Sequence, residues 1–279
     1  MRESSIFYGS TGIVMWVPVY YGINYDIYTI GTILEKGILP VKDAKKEWKE
    51  GYAPNASQFD RSDQVPVVLC YPGEPHSVFE SFIKKGISFV ISRQRWLEAA
   101  TTKNTFRQDE GSITRVSPEE IEGIMLPRES LTKKVSELEP RMEQTLILAG
   151  RDSTAAALYF EPKVEYILRY LQEDLGYTAN YADIREIVDS VKKEEVTDED
   201  GLRKIIEQRA LGLNVLMQRH IAAAFAKKLG KRDVRLFDVI QMYNSKRNLP
   251  VYDVDTGKEI DMEAVLKEIE QLNVIALSE

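Results

Sequence analysis

Apolar residues change their rhythm along this chain between Ser130 and Glu143, and the two halves are therefore bound for different architectures. Upstream, short runs rich in β-branched and aromatic residues alternate with helical patterns. "SIFYGSTGIVMWVPVYYG" reads as strand, turn, strand, broken by Gly9, Gly12 and Pro18. "DIYTIGTILEKGILP" sets Ile27, Ile30, Ile33 and Leu34 at helical spacing, with Asp26 as the N-cap and Gly37 as the stop. "QVPVVLCY" and "ISFVIS" read as buried strands, "RQRWLEAATT" as a helix, and "GIMLP" as a last strand.

Downstream of Leu131 the period is 3.6 almost throughout. "PKVEYILRYLQEDLG", "YADIREIVDSVKK" and the long run from Asp198 to Gly230 each carry an apolar stripe and a glycine or charged end. "VRLFDVIQMYNSK" and "MEAVLKEIEQL" add two more helices, separated by a hairpin signal at Asp255-Thr256-Gly257. The expected fold class is α+β. A mixed β-sheet domain with short helices spans residues 1–130, and an all-α domain, which would bind or select a target, spans 131–279.

Composition narrows the chemistry. The chain has 279 residues, 43% of them hydrophobic, as expected of a soluble globular protein. No apolar run is long enough to span a bilayer, and no basic-then-apolar leader opens the sequence, so a cytoplasmic protein or an effector acting in a host cytosol is expected, with no membrane partner. The single cysteine, Cys70, excludes an intrachain disulfide and a cysteine-rich zinc site, and two histidines leave little material for a histidine metal site. A formal net charge of −7 argues against a general nucleic-acid binder, which meets phosphates with a basic face.

Carboxylates are concentrated in "FRQDEGSITRVSPEEIEGIMLP", residues 106–127, where two pairs share one spacing: Gln108-x-Glu110 and Glu120-x-Glu122. The second has a complete structural explanation. Ser117-Pro118-Glu119-Glu120 reads as a capped helical turn, with Glu120 at the capping-box position and acids at the positive end of the dipole. The first lies on an expected strand from about Phe106 to Arg115. Residues two apart in a strand share a face, so Gln108 and Glu110 stand together while Arg107 and Asp109 take the other side. A carboxylate and an amide so placed can grip a substrate hydroxyl and orient a second reactant; an exposed strand edge of mixed charge would look the same. "YGST", Tyr8 to Thr11, is a glycine-containing strand exit whose backbone N–H groups can approach a flat ligand closely, or is simply a turn.

Taken together, "FYGST", "NYDIYTIGTILEKGIL", "SDQVPVVLCYPGEPHSVF" and "FRQDEGSITRVSPEEIEGIMLP" resemble, in order and in short matches, the ADP-ribosyltransferase fold, most closely its DarT type. The likeness covers roughly the first half of the chain. It implies a glycosyl transfer from NAD, used as a substrate with no metal, and sets Glu110 at the catalytic glutamate and Gln108 at the acceptor-orienting position. It also implies that Tyr8, Gly9, Ser10, Thr11 and Arg61 contact NAD. Many transferases of this fold carry a histidine where this chain has Tyr8, and Arg61 is only a rough counterpart of the family's arginine. A glutamine two residues before the glutamate is associated in the family with arginine acceptors. The resemblance thus implies a mono-ADP-ribosyltransferase acting on a protein side chain. Its alternatives are DNA-base modification, with Arg93, Arg95, Lys103 and Arg107 lining a basic groove, and a degenerate fold serving as an interaction module.

Overall fold

The computed structural model describes residues 19–24, 27–39, 68–72, 86–95, 98, 111–138, 164–165, 167–193 and 199–276. The chain is mixed α+β, as its two rhythms imply. It divides into two compact units. One contains Met1–Pro40, Pro66–Lys134 and Arg235–Glu279, and the other Val41–Val65 and Val135–Val234. The sheet's unit takes in Arg235–Glu279 along with Pro66–Lys134.

The first unit is built on a six-stranded sheet. Its strands are β1 (Val19–Asn24), β2 (Val68–Pro72), β3 (Ile87–Ile91), β4 (Gly111–Ile113), β5 (Ile121–Leu126) and β6 (Val251–Asp253), in the spatial order β4-β2-β1-β3-β5-β6. All neighbours are antiparallel except β5 and β6, which run parallel with Ile124 opposite Val251 and Met125 opposite Tyr252. The strand β3, "ISFVI", is buried along its whole length, which explains why it reads as an unbroken apolar run rather than an alternating one. Ile87, Phe89 and Ile91 fill one face of it; Ser88 and Val90 belong to the other, where Val90 clusters with Met125, Tyr252 and Val254.

Helix α1 (Tyr28–Lys36) buries Ile30, Ile33 and Leu34, as its spacing predicts. Its N-cap position is taken by Ile27, with no side-chain cap, and Asp26, the expected cap, lies outside the described residues. Gly37 ends it at φ 83°. Gly31 and Gly123 are also places of close packing: a Cβ at Gly31 would overlap the Tyr243 ring, and one at Gly123 would stand 2.7 Å from the Tyr252 ring. The predicted hairpin at Asp255 to Gly257 is present. Tyr252 bridges Glu259, and the Asp253 carboxylate accepts from the Asp255 N–H and the Thr256 hydroxyl, closing the turn.

The second unit is helical. Helices α2 (Tyr181–Lys193) and α3 (Glu199–Leu229) pack against each other, and residues 167–173 are also helical. Leu213, Met217, Ile221, Ala224 and Phe225 form the buried stripe of α3, and Gly230 at φ 63° stops it as predicted. Back in the first unit, α4 (Leu236–Asn244) and α5 (Met262–Ala276) bear out the last two predicted helices. Among the described residues, no helix is long and apolar enough to cross a membrane.

Candidate active site

The residues expected to carry chemistry are Tyr8, Gly9, Ser10, Thr11, Arg61, Gln108 and Glu110, and all of them lie outside the described residues. The structure therefore reaches the candidate site from its downstream side, through the residue bonded to Glu110. Gly111 opens β4, whose three residues pair with β2: Gly111 with Cys70, Ser112 with Leu69, Ile113 with Val68. Among the described residues β4 is the outermost strand of its edge, with β2 as its one sheet neighbour. The strand expected over residues 106–115 is a strand at 111–113 among the described residues, and it bends at Thr114.

From Thr114 the chain crosses to β5, at the far side of β3. Two sets of bonds hold this crossing. Ile38 and Val116 exchange backbone hydrogen bonds, both 2.9 Å, just after α1 ends. The second set centres on Arg95, at the end of a short turn that follows β3. Its Nη2 donates to the Arg115 carbonyl at 2.7 Å, to Thr114 Oγ1 at 2.9 Å and to the Thr114 carbonyl at 3.3 Å. Its Nη1 pairs with Glu98 at 2.8 Å, and Glu98 in turn accepts the Thr114 N–H at 2.6 Å. Nε lies 3.2 Å from Glu120 Oε1, an ion-pair distance without hydrogen-bond alignment. With its side chain 19% exposed, Arg95 is committed within the fold, and of the four cations that would line a basic groove this one is spent.

The rejected acids are where the sequence put them. Pro118–Glu120 forms the capped turn, with the Glu120 carboxylate accepting the Ser117 N–H at 2.8 Å and the Glu120 N–H donating to the Ser117 carbonyl. A backbone hydrogen bond and then the Ser117 hydroxyl hold the Glu119 carboxyl below the usual glutamate range, so it stays ionised and is poorly suited to donate a proton. Glu122 points outward from β5 between buried neighbours. None of the three is free of a structural explanation.

Of the two histidines, His76 lies outside the described residues. His220, on α3, packs as expected of a half-buried side chain: its Nδ1 is 3.2 Å from the Tyr177 hydroxyl, with the rings tilted 56° and their centres 5.7 Å apart. Burial pushes it below the ordinary histidine value, against the opposing pull of Asp183. The bracing role of Arg95 with Glu98, and the Ile38–Val116 bridge, escaped sequence reading. The Arg95-x-x-Glu98 pair is visible as an i,i+3 spacing, but its attachment to Thr114, 19 residues on, leaves no local signal.

No family model, no characterised protein and no solved structure matches this chain.

Proposed function

We propose that the chain is an NAD-dependent mono-ADP-ribosyltransferase that modifies a protein side chain, arginine by preference, with Glu110 as its catalytic carboxylate. The observation that supports Glu110 is the disposition of the acids around it. Glu119 and Glu120 belong to the capped turn and Glu122 to the outer face of β5, while Glu110 immediately precedes the edge strand β4. Among the described residues one side of β4 has no strand neighbour, and such an edge suits a residue that must meet a ligand.

The chemistry asks little of the protein in functional groups. The C1–nitrogen bond between ribose and nicotinamide breaks with its electron pair leaving on nicotinamide, and positive charge develops on the ribose as in glycoside hydrolysis. A carboxylate against the ribose 2′-hydroxyl stabilises that charge. An acceptor nitrogen then bonds to C1 and loses its proton to solvent or a nearby base. Glu110 would supply the carboxylate, Gln108 would orient the acceptor, and Tyr8, Gly9, Ser10, Thr11 and Arg61 would hold NAD. A guanidinium acceptor pairs naturally with acids, and Asp109 stands next to Glu110 in sequence. The excess of acids in the chain favours a protein acceptor over DNA, and the helical unit would select it. The setting would be a cytosol, its own or a host's.

The test is incubation with labelled NAD and a cell lysate, comparing wild type with Glu110→Ala. Labelled protein that disappears in the variant supports the proposal. Labelled DNA in its place supports base modification instead. No label on either, together with no shift in melting temperature on adding NAD, refutes the enzyme and leaves an interaction module. Gln108→Ala separates the two roles: it impairs transfer more than NAD hydrolysis, and an equal loss of both would refute an acceptor-orienting glutamine.

A further inference from the structure

We infer that the chain divides its work at one stem: the sheet unit, its C-terminal part Arg235–Glu279 included, cleaves NAD, and Val135–Val234 is an insert that adds acceptor selection; this rests on the transferase reading. Arg235–Glu279 is far in sequence from the first five strands, yet it is built into their sheet. Strand β6 pairs with β5, and the Ile124 N–H donates to the Pro250 carbonyl at 3.0 Å. Arg247 Nη2 donates to the Ile121 carbonyl at 3.1 Å, and Arg128 pairs with Glu268 at 2.8 Å. The Tyr243 and Tyr252 rings pack where Cβ atoms at Gly31 and Gly123 would stand. Without this segment β5 would lose its parallel partner and α1 the ring packed on Gly31.

The residues in between leave and return side by side. Lys134 and Arg235 form an antiparallel bridge, and the Leu236 N–H donates to the Lys133 carbonyl at 3.1 Å. Arg235 ties this pair down: its Nη1 donates to the Thr132 carbonyl and its Nη2 to Asn273 Oδ1 on α5, at 3.1 Å. One residue further along each chain, the Val135 N–H donates to the Val234 carbonyl at 2.9 Å. The change of unit falls between these two backbone bonds, so each unit closes its own end of the stem. Val135 and Val234 are buried, and the turn Val135–Glu137 packs against α3 of its own unit. Adjacent ends of this kind allow a segment to be inserted into a fold without interrupting it. Pro66–Lys134, which carries Gln108 and Glu110, belongs to the sheet unit, while Val41–Val65 is grouped with the insert and has its own connections. A segment outside the unit of the catalytic carboxylate can change what it binds while the scaffold keeps its chemistry.

The experiment uses the full chain, as wild type and with a flexible Gly-Ser segment of about six residues placed at both Lys134–Val135 and Val234–Arg235. Both insertion points fall between the two stem bonds, so each unit keeps its own, and lengthening a flexible connection costs little. The kcat for NAD cleavage stays at its wild-type value. Transfer to lysate protein per NAD cleaved falls on the order of tenfold, because a loosely tethered selector holds its acceptor at a lower effective concentration. Amide exchange of the wild-type chain in rising urea reads the units directly: Val251–Asp253 opens together with Phe89 and Val90, and 213–225 opens as a separate group. A lengthened chain that loses cleavage, folded or not, overturns the inference, as does one that keeps the wild-type transfer ratio. Exchange in which β6 opens with α3 and not with β3 overturns it as well. A wild-type chain that does not cleave NAD, or a Glu110→Ala chain that still does, sinks the Glu110 reading itself and this inference with it. Wild-type cleavage that needs Glu110 but is lost on lengthening the stem sinks this inference alone.

Discussion

Gly37→Ala tests the crossing between β4 and β5 at its tightest point. Gly37 has φ 83° and ψ −166°, a conformation that side chains with a Cβ rarely adopt, and holding it with alanine costs about 1–3 kcal/mol. A Cβ there would also stand 2.1 Å from the Val116 carbonyl oxygen and 3.1 Å from the Pro118 nitrogen. Both are backbone atoms, so no rotamer change relieves the overlap and the Val116 peptide must move. That movement breaks the reciprocal Ile38–Val116 bonds, each worth about 1 kcal/mol net. The sum is about 3–5 kcal/mol, read as a fall of about 10 °C in Tm or as an equivalent shift in a urea titration followed by tryptophan fluorescence. Gly176→Ala is the comparison, because Gly176 has φ 61° but nothing within 4 Å of its would-be Cβ. It bears the backbone penalty alone, about 1 kcal/mol. If Gly37→Ala costs no more than Gly176→Ala, the close approach to Val116 does not hold the crossing and the reasoning fails.

Ser88, fully buried in β3 with no partner for its hydroxyl among the described residues, pays desolvation without return. Ser88→Ala is therefore neutral or more stable by about 1 kcal/mol in urea titration, and a clear loss of stability would show that the hydroxyl is bonded. His220 is held below 6.5 in the folded state by burial, so on acidification the unfolded chain takes up a proton that the folded one resists. Its contribution is complete above that value and is lost as the pH falls below it toward the folded value; Tm then declines more steeply between pH 7 and pH 5 in wild type than in His220→Gln, and parallel curves refute the assignment.

What the sequence made legible was local. The helix over Tyr28–Lys36 and its stop at Gly37, the capped turn at Ser117–Glu120, the long helix ended by Gly230 and the hairpin at Asp255–Gly257 each rest on residues within a few positions of one another. What was not legible joins distant segments. Strand β6 pairs with β5 in parallel across more than 120 residues, Val116 meets Ile38, and Arg95 meets Thr114. The short apolar run "VYD" carries no mark of its partner, because a strand's pairing depends on what else lies at the sheet edge. The candidate site was read from motif and spacing alone: Gln108-x-Glu110, "YGST" and Arg61 fall outside the described residues, so they stand as proposed.

The choice between Gln108-x-Glu110 and Glu120-x-Glu122 can be decided at Glu120. Its carboxylate has two structural tasks, accepting the Ser117 N–H and lying beside Arg95 Nε. An amide can still perform the first through its oxygen, so Glu120→Gln keeps the turn and surrenders only the charge. At 31% exposure that charge is partly screened, and the pair contributes no more than about 1 kcal/mol. Glu120→Ala also strips the Ser117 N–H of its acceptor, a loss in the range of about 0.5–2 kcal/mol for a helix cap. Stability should thus fall in the order wild type, Glu120→Gln, Glu120→Ala. NAD cleavage per folded molecule in Glu120→Gln should remain within about threefold of wild type, since a catalytic carboxylate replaced by its amide loses orders of magnitude. A folded Glu120→Gln chain that has lost cleavage while Glu110→Gln retains it would reverse the assignment. The turn's acids would then be the chemistry, and Glu110 the surface charge.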